Sequence, residues 1–432
     1  MNKHLSTYSA VFLVVASMLG TGILTTTGII LSLVKTPAAV MGVWVLGGLL
    51  ALIGAWCYGE LARRVPRNGG EATILRELMS PTLGEIAGLT SFVVGFAACN
   101  TASSMAFVDY LAEAMPSLHV QPAILSCIVL LAVTSLHGFL GRVGLRIQTL
   151  LATAKFASLF GLALWGVYLM SAPSSAPTVP ASADAELAAA GFGGAWGQAM
   201  MLVMFAYSGW NAAIYVAGEI RDPVKNVRKI LLIGTAIVAA LFILLNAVLL
   251  TQLPVAALEG VRPVMATLVK HMFGSDVAAI FSGFVAFALL SSIGVSAFLG
   301  PRVLAAMLSW LGKDASHKND APVQVSPLLI WLQAGLSILM VLTGTFVQIL
   351  TVMGFLLGLF PIISILCLYR GVDEHKSQSK TWVRYVFAPL FILVSSAILL
   401  LGAWQSPREV SFALAIVGGG YLVRVTMRRF YS

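Results

Sequence analysis

Apolar runs of about twenty residues recur along this chain from Val11 almost to its end, and they limit its fold more than any motif does. Only 10% of the 432 residues are charged, against 59% hydrophobic. Mean hydropathy is +0.94. A water-soluble domain is about 25% charged and needs polar side chains over much of its surface. A chain this poor in charge must be solvated largely by lipid, where a helical crossing takes about 20 residues. The stretch from Val11 to Leu33 is too long for the apolar part of a signal peptide, and more apolar runs follow it. The pattern predicts twelve spans, at about 9–33, 39–62, 84–114, 122–140, 146–170, 193–219, 229–251, 276–311, 327–344, 346–369, 384–403 and 409–428.

The distribution of charge tests that map. A formal charge of +9 would suggest nucleic acid in a soluble protein, but here the basic residues sit in short connections and tails. With the N-terminus inside, 21 of the 26 lysines and arginines fall on the inner side. The outer side receives only Lys35, Arg262, Lys270 and Arg408, and Lys155 lies within span 5. Cytoplasmic connections are enriched in Lys and Arg, so the expectation is a multi-pass plasma (inner) membrane protein with both termini cytoplasmic. Segment 171–192 is a Pro/Ser/Ala-rich outer loop, and segment 252–275 is expected to carry a short surface helix. Cys57, Cys99, Cys127 and Cys367 lie in apolar stretches, as buried free thiols do.

Two spans are interrupted. Span 1 contains Ser17-Met18-Leu19-Gly20-Thr21-Gly22-Ile23, and span 6 contains Phe205-Ala206-Tyr207-Ser208-Gly209-Trp210-Asn211. Each glycine weakens a helix by about 1 kcal/mol, and freed backbone groups are tolerated in lipid only where they line a cavity or are buried in protein. Either interruption alone reads equally well as a small-residue packing face. Together they lie five spans apart, at corresponding places in two halves, which is the sequence pointer to a midplane binding site in transporters.

These residues bear a resemblance. Gly20-Thr21-Gly22-Ile23 resembles the G-(S/T)-G-I break of the amino acid–polyamine–organocation superfamily. Phe205 to Asn211, with Gly218-Glu219-Ile220-Arg221-Asp222-Pro223, is similar to the span 6 signature of its L-type amino acid transporter branch, and Pro66-Arg67-Asn68-Gly69-Gly70 to that family's P-x-x-G-G element. The resemblance implies an all-α membrane protein of twelve helices with a 5+5 inverted-repeat (LeuT-like) fold. Its repeats would be 1–170 and 193–369, with spans 1 and 6 unwound at mid-membrane and spans 11 and 12 in 370–432. It implies an amino acid substrate, held at Ser17, Leu19, Gly20, Thr21, Gly22, Ile23, Phe205, Ala206, Tyr207, Ser208, Gly209 and Asn211, with Phe205 gating the outer side. The free amides at a half-helix N-terminus suit a carboxylate, which places it at Thr21, Gly22 and Ile23. The ammonium would meet carbonyls near Ser17 to Leu19 and at Phe205, Ala206 and Ser208. Glu71 directly follows Gly69-Gly70 and leaves substrate and partner details there open. The stretch Met115 to Pro122 lacks the cysteine that bonds a heavy chain in animal members, so no disulfide-linked heavy chain is expected.

Lys155 is the most informative single residue, because a lysine near the membrane centre costs several kcal/mol or titrates at lower pH. As a fixed cation it would replace a sodium ion and bridge the span 1 break to Ser291 and Ser292; as a titrating amine it would couple transport to protons. A sodium site wants oxygen ligands and no resident cation, so sodium-independent exchange is expected. No cofactor or metal is called for. Glu60 with Arg63 and Arg64 reads as either an inner gate or a solvated cluster, Asp109 and Glu113 as interfacial, and Asn100, Ser103, Gly354 and Gly358 as vestibule lining. No H-E-x-x-H or G-x-S-x-G occurs, and no paired intramembrane aspartates, so an enzyme is not expected. Small residues at the breaks favour neutral amino acids.

Overall fold

The computed structural model describes residues 5–171, 194–310, 325–370 and 382–431, and every regular element among them is helical. The expected loop at 171–192 lies almost wholly outside them, as do Lys313, Lys318, Lys376 and Lys380. Helices α1 (Thr7–Met18) and α2 (Gly22–Val34) make the first apolar passage, followed by α3 (Pro37–Arg64), the short α4 (Gly70–Leu78) and α5 (Pro81–Ala114). Helix α6 covers Pro122–Ser171 and α7 Gly194–Ala206; α8 (Pro223–Gln252), α9 (Val264–Phe273) and α10 (Ser275–Ser309) follow. The chain closes with α11 (Pro327–Thr343), α12 (Phe346–Leu366), α13 (Ala388–Gln405) and α14 (Pro407–Tyr431).

Among the described residues, nine helical stretches are long and apolar enough to cross a bilayer. Three expected spans correspond instead to shorter apolar helices, Pro122–Leu136, Ala195–Ala206 and Pro327–Thr343. One boundary differs from expectation. The hydropathy pattern breaks between spans 4 and 5, yet α6 stays helical through 141–145. A short connection need not unwind, since it loses no backbone hydrogen bond by staying helical. At 1.5 Å per residue, a helix of this length would be about 75 Å long, more than twice the hydrocarbon thickness. Its two apolar parts, Pro122–Leu136 and Thr149–Met170, are therefore separate candidates for crossing. The surface helix expected within 252–275 is α9.

Packing sorts the helices into two groups. Helix α3 lies along α8, which also touches α1, while α2 packs on α7. In the second group α10 lies along α5 and α6, with α11 on α6. Helices α12 and α13 flank α7, and α14 packs on α5 and α12. At the centre of the first group Trp44 meets Tyr207 and Phe242 at ring-centroid distances of 5.6 Å each, in edge-on geometry. Buried polar contacts pin the same region. Thr27 Oγ1 donates to Asn246 Oδ1 at 2.7 Å, and Tyr110 donates to the Leu24 carbonyl at 2.9 Å.

The group at the end of α3 is tied into the protein rather than left as a solvated cluster. Arg64 donates to the carbonyls of Cys367, Leu368 and Arg370 at 3.2, 3.1 and 3.3 Å, satisfying carbonyls that the end of α12 leaves open. Glu60 pairs with Arg63 at 3.3 Å. On the opposite face, the segment carrying α9 closes over α2. Gly260 N–H donates to the Gly28 carbonyl at 2.9 Å, and Lys35 pairs with Glu259 at 2.5 Å. Asp109 is more than interfacial: it pairs with Arg262 at 2.7 Å with its side chain only 12% exposed.

Helix-to-helix hydrogen bonds in membranes average about 0.6 kcal/mol in double-mutant cycles. Thr27→Val and Asn246→Leu are each expected to lower the thermal midpoint in detergent. The double variant should lose less than the sum, by about 0.5–1.5 kcal/mol of coupling. Strict additivity would show that the Thr27–Asn246 bond contributes nothing.

Candidate functional site

The first interruption is a real break. Helix α1 stops at Met18, α2 begins at Gly22, and Leu19, Gly20 and Thr21 lie between them. Gly20 N–H turns back to the Met18 carbonyl at 2.8 Å. No side chain caps the start of α2, so the first amides of that helix have no helical carbonyl ahead of them. Thr25 and Thr26 return their hydroxyls to the Thr21 and Gly22 carbonyls, each at 2.8 Å, and thereby stiffen the new helix start.

The second interruption is longer. Helix α7 ends at Ala206, a turn covers 207–211, and a 3-10 stretch, Ala212–Glu219, leads toward α8. Gly209 takes φ +93°, a conformation open to glycine and strained for most side chains. Ser208 N–H donates to the Phe205 carbonyl at 2.9 Å, which occupies one acceptor expected to face a ligand.

The two breaks lean on each other. A Cβ on Gly22 would fall 2.4 Å from the Ala206 Cα, and a Cβ on Gly209 would fall 2.7 Å from the Ser17 carbonyl. Glycine is needed at both points because one backbone passes directly against the other. Beside them lies a cavity of about 1240 Å³.

The structure distributes the expected site residues unevenly around that cavity. Ser17, Phe205, Ser208, Gly209 and Asn211 line it. Leu19, Thr21, Gly22, Ile23 and Ala206 are buried next to it without lining it, and Gly20 is exposed, with open space where a side chain would stand. Tyr207 turns its side chain away from the cavity. Its hydroxyl donates to the Trp44 carbonyl at 3.1 Å, and its ring packs against Gly47, Gly48 and Phe242. Asn100, Ser103, Gly354 and Gly358 do not line the cavity either; Gly354 is pressed against the Met201 carbonyl. Lys155 is only 4% exposed and does not line the cavity. Ser292 spends its hydroxyl on the Ala288 carbonyl of its own helix at 3.1 Å, and neither Ser291 nor Ser292 lines the cavity.

One feature was not singled out from the sequence, and a second was noted there only as a departure from the family's pattern. The stretch Phe92–Ala98 within α5 is wound as a π-helix, and Val94, Gly95 and Phe96 of it line the cavity. Such widened turns recur at functional sites, but nothing in an apolar run announces one. The second is Glu71. It lines the cavity while only 7% exposed, and its Oε1 accepts from Tyr58 Oη at 2.6 Å and Asn211 Nδ2 at 2.9 Å. Burial pushes its carboxyl above the ordinary carboxylate range, and those two hydrogen bonds hold it partly down. An acid directly after two glycines was the available signal. Both glycines have positive φ, +112° and +63°, and they set Glu71 in the first turn of α4. The other acid lining the cavity, Glu77, pairs with Arg67 at 2.8 Å. No group of three or more metal-binding side chains occurs among the described residues.

Comparison with known proteins agrees with this architecture. A family model described as amino acid permease matches residues 5–422. The chain is 23% identical to the mouse b(0,+)-type amino acid transporter 1, over 96% of this chain and 86% of that protein. It is 22% identical to the human large neutral amino acids transporter small subunit 2, over 96% and 79% of the two chains. In fold it is similar to a manganese transporter variant of Eremococcus coleocola, with a TM-score of 0.59 at 14% identity over 98% and 94% of the chains.

The contact between the breaks can be tested directly. Gly209→Ala puts a side chain at positive φ and against the Ser17 backbone, which should cost about 1–3 kcal/mol. The expected result is a thermal midpoint lowered by several degrees. Gly161→Ala, at a position with open space around it, should leave the midpoint in place. Equal midpoints for both variants would mean that the breaks do not touch.

Proposed function

The chain belongs to the amino acid permease family, whose members are transporters and not enzymes, and we propose that it exchanges neutral L-amino acids across the plasma (inner) membrane without sodium. The observation that carries this reading is the mutual contact of two broken helices beside one cavity, at Gly22 with Ala206 and at Gly209 with Ser17.

The proposed pose follows from the ends of the half-helices. The substrate carboxylate meets the uncapped amides of Thr21, Gly22 and Ile23, where a helix dipole stabilises an anion by about 0.3–2 kcal/mol. The ammonium meets carbonyls between Ser17 and Leu19 and at Ala206 and Ser208. Phe205, at the cavity wall, closes over the substrate. The preference for neutral side chains is supported by the state of the cavity's two carboxylates. Glu77 is paired with Arg67, and Glu71 is engaged by Tyr58 and Asn211.

Alternating access is supported by the shape of the cavity. Its lining includes Arg67, Arg76 and Glu77 from the connection after α3, and nothing from the α9 segment that covers the other face. The side with Arg67 and Arg76 is the basic side, which the positive-inside rule makes cytoplasmic. Two five-span repeats are supported by which spans touch. Span 1 packs on span 6 through α2 and α7, span 2 on span 7 through α3 and α8, and span 3 on span 8 through α5 and α10.

Lys155 favours sodium independence, because a sodium site wants oxygen ligands and no resident cation, and Lys155 is a buried one. In proteoliposomes loaded with labelled L-alanine or L-leucine, external unlabelled amino acid should accelerate efflux with or without sodium. Efflux indifferent to external amino acid would sink the exchanger reading. Lys155→Ala should cut that exchange at least tenfold while expression and thermal midpoint stay close to wild type. Wild-type turnover in this variant would remove Lys155 from the mechanism.

A further inference from the structure

Glu71 is a buried carboxylate in the wall of the transport cavity, and none of the carrier's proposed steps uses it. Among the described residues it has no ion pair; its partners are the neutral donors Tyr58 and Asn211. Asn211 belongs to the turn that forms the second break, two residues after Gly209. The backbone on either side of that turn is already committed. Gly209 presses on Ser17, and the Asn211 carbonyl accepts from Ile214 at 3.0 Å. The stretches 68–71 and 211–219 are also tied side by side. Gly69 N–H donates to the Tyr215 carbonyl at 3.2 Å, and Gly218 N–H donates to Asn68 Oδ1 at 2.8 Å. Glu71 is the only acid within this seam that reaches the break itself, and a charge-assisted hydrogen bond is about twice as strong as a neutral one.

We propose that Glu71 is a positioning residue for the substrate site: its carboxylate holds Asn211, and through it the turn 207–211, in the shape that receives the substrate. This rests on the amino acid carrier reading.

A consequence for pH follows from the surroundings. The titratable groups packed around Glu71 are Tyr58 from α3 and Tyr215 from the 3-10 stretch. Arg67, Arg76 and Glu77 share its cavity; Arg67 and Glu77 pair with each other, and Arg76 lies over the Trp310 ring at 4.5 Å. Helix α12, packed on α4, carries no titratable side chain, while Cys367 and Tyr369 follow it. Helix α5 brings Glu85, held by Arg424 at 2.7 Å. Among the described residues no cation is paired with Glu71, so burial dominates and raises its carboxyl. The ionised form, which grips Asn211, is then lost at a higher pH than for an exposed glutamate as the solution is acidified. Substrate affinity should fall on that acid limb.

The test uses the full chain, and one arm needs no substrate. Hydrogen–deuterium exchange of peptides covering 205–215 should be faster in Glu71→Gln than in wild type, and unchanged protection overturns the proposal whatever the protein carries. In proteoliposomes, exchange of labelled L-alanine, L-leucine and L-lysine is followed from weakly acidic to weakly alkaline pH. Glu71→Gln should raise KM for L-alanine or L-leucine about tenfold, leave the maximal rate within about twofold and abolish the acid limb, with Glu71→Asp restoring part of both. An unchanged KM and pH profile overturns the proposal. So does a loss confined to L-lysine, which would make Glu71 a cation-binding group instead. Should Glu71→Gln fail to fold, Asn211→Ser must reproduce the raised KM and the flattened acid limb, and a wild-type KM in that variant overturns the proposal. Failure of wild-type exchange would count against the carrier reading alone, because the hydrogen-exchange arm still decides the role of Glu71.

Discussion

Everything in this chain depends on how it satisfies backbone groups that two helices have given up. In lipid an unpaired N–H or C=O costs several kcal/mol, so irregular backbone survives only inside protein or against water in a cavity. The solution here is reciprocal. Gly22 admits the backbone of Ala206, Gly209 admits that of Ser17, and each break supplies a wall to the other. The aromatic packing of Trp44, Tyr207 and Phe242 then holds the second break against α3 and α8. Loss of either glycine would act on both helices together, because each glycine lies directly against the backbone of the other break.

This reciprocity explains what the sequence made visible. A glycine pair inside an apolar run is legible, and so is its counterpart five spans later, because both violate a helical pattern. Charge asymmetry is legible in the same way: the twelve-span map would put 21 of the 26 basic residues on one side. Orientation of single side chains is not legible. Tyr207 sits inside the signature and looks like a pocket residue, yet Gly47 and Gly48 leave room for its ring against α3, on the other side of the break. Only the partner helix decides which way such a ring turns. Asp109 similarly read as interfacial because its partner, Arg262, lies more than 150 residues away. The continuity of α6 through 141–145 was hidden too, since its two glycines and one arginine suit a connection as well as a helical turn.

Glu71 shows the opposite failure. Its sequence context, an acid after two glycines, signals a turn and a helix start, and a helix start favours an acid for electrostatic reasons alone. Composition could not separate that ordinary role from a place in the cavity wall. Distance in the chain could not either, because Asn211 is 140 residues away. The contact also changes how the neutral-substrate argument stands. Spans 1 and 6 carry no acid before Glu219, yet the cavity is not free of carboxylates. A preference for neutral substrates would rest on both carboxylates being occupied by groups of the protein.

The two faces of the site differ in what holds them, and that difference decides which parts of a carrier could move. The face over α2 is closed by the Gly260–Gly28 hydrogen bond, the exposed Lys35–Glu259 pair and the less exposed Asp109–Arg262 pair. Exposed pairs contribute about 0–1 kcal/mol and a net hydrogen bond about 0.5–1.5 kcal/mol. Their sum is a few kcal/mol, the scale on which two states of one protein interconvert. The contact of α3 with α8, by contrast, buries Val40, Val43, Trp44, Val238 and Phe242 along long helices. Each such side chain contributes about 1.5–3 kcal/mol when fully buried against water, and dense packing takes over that role in lipid. A carrier built on these contacts would keep α3 and α8 together as one body and release the α9 segment.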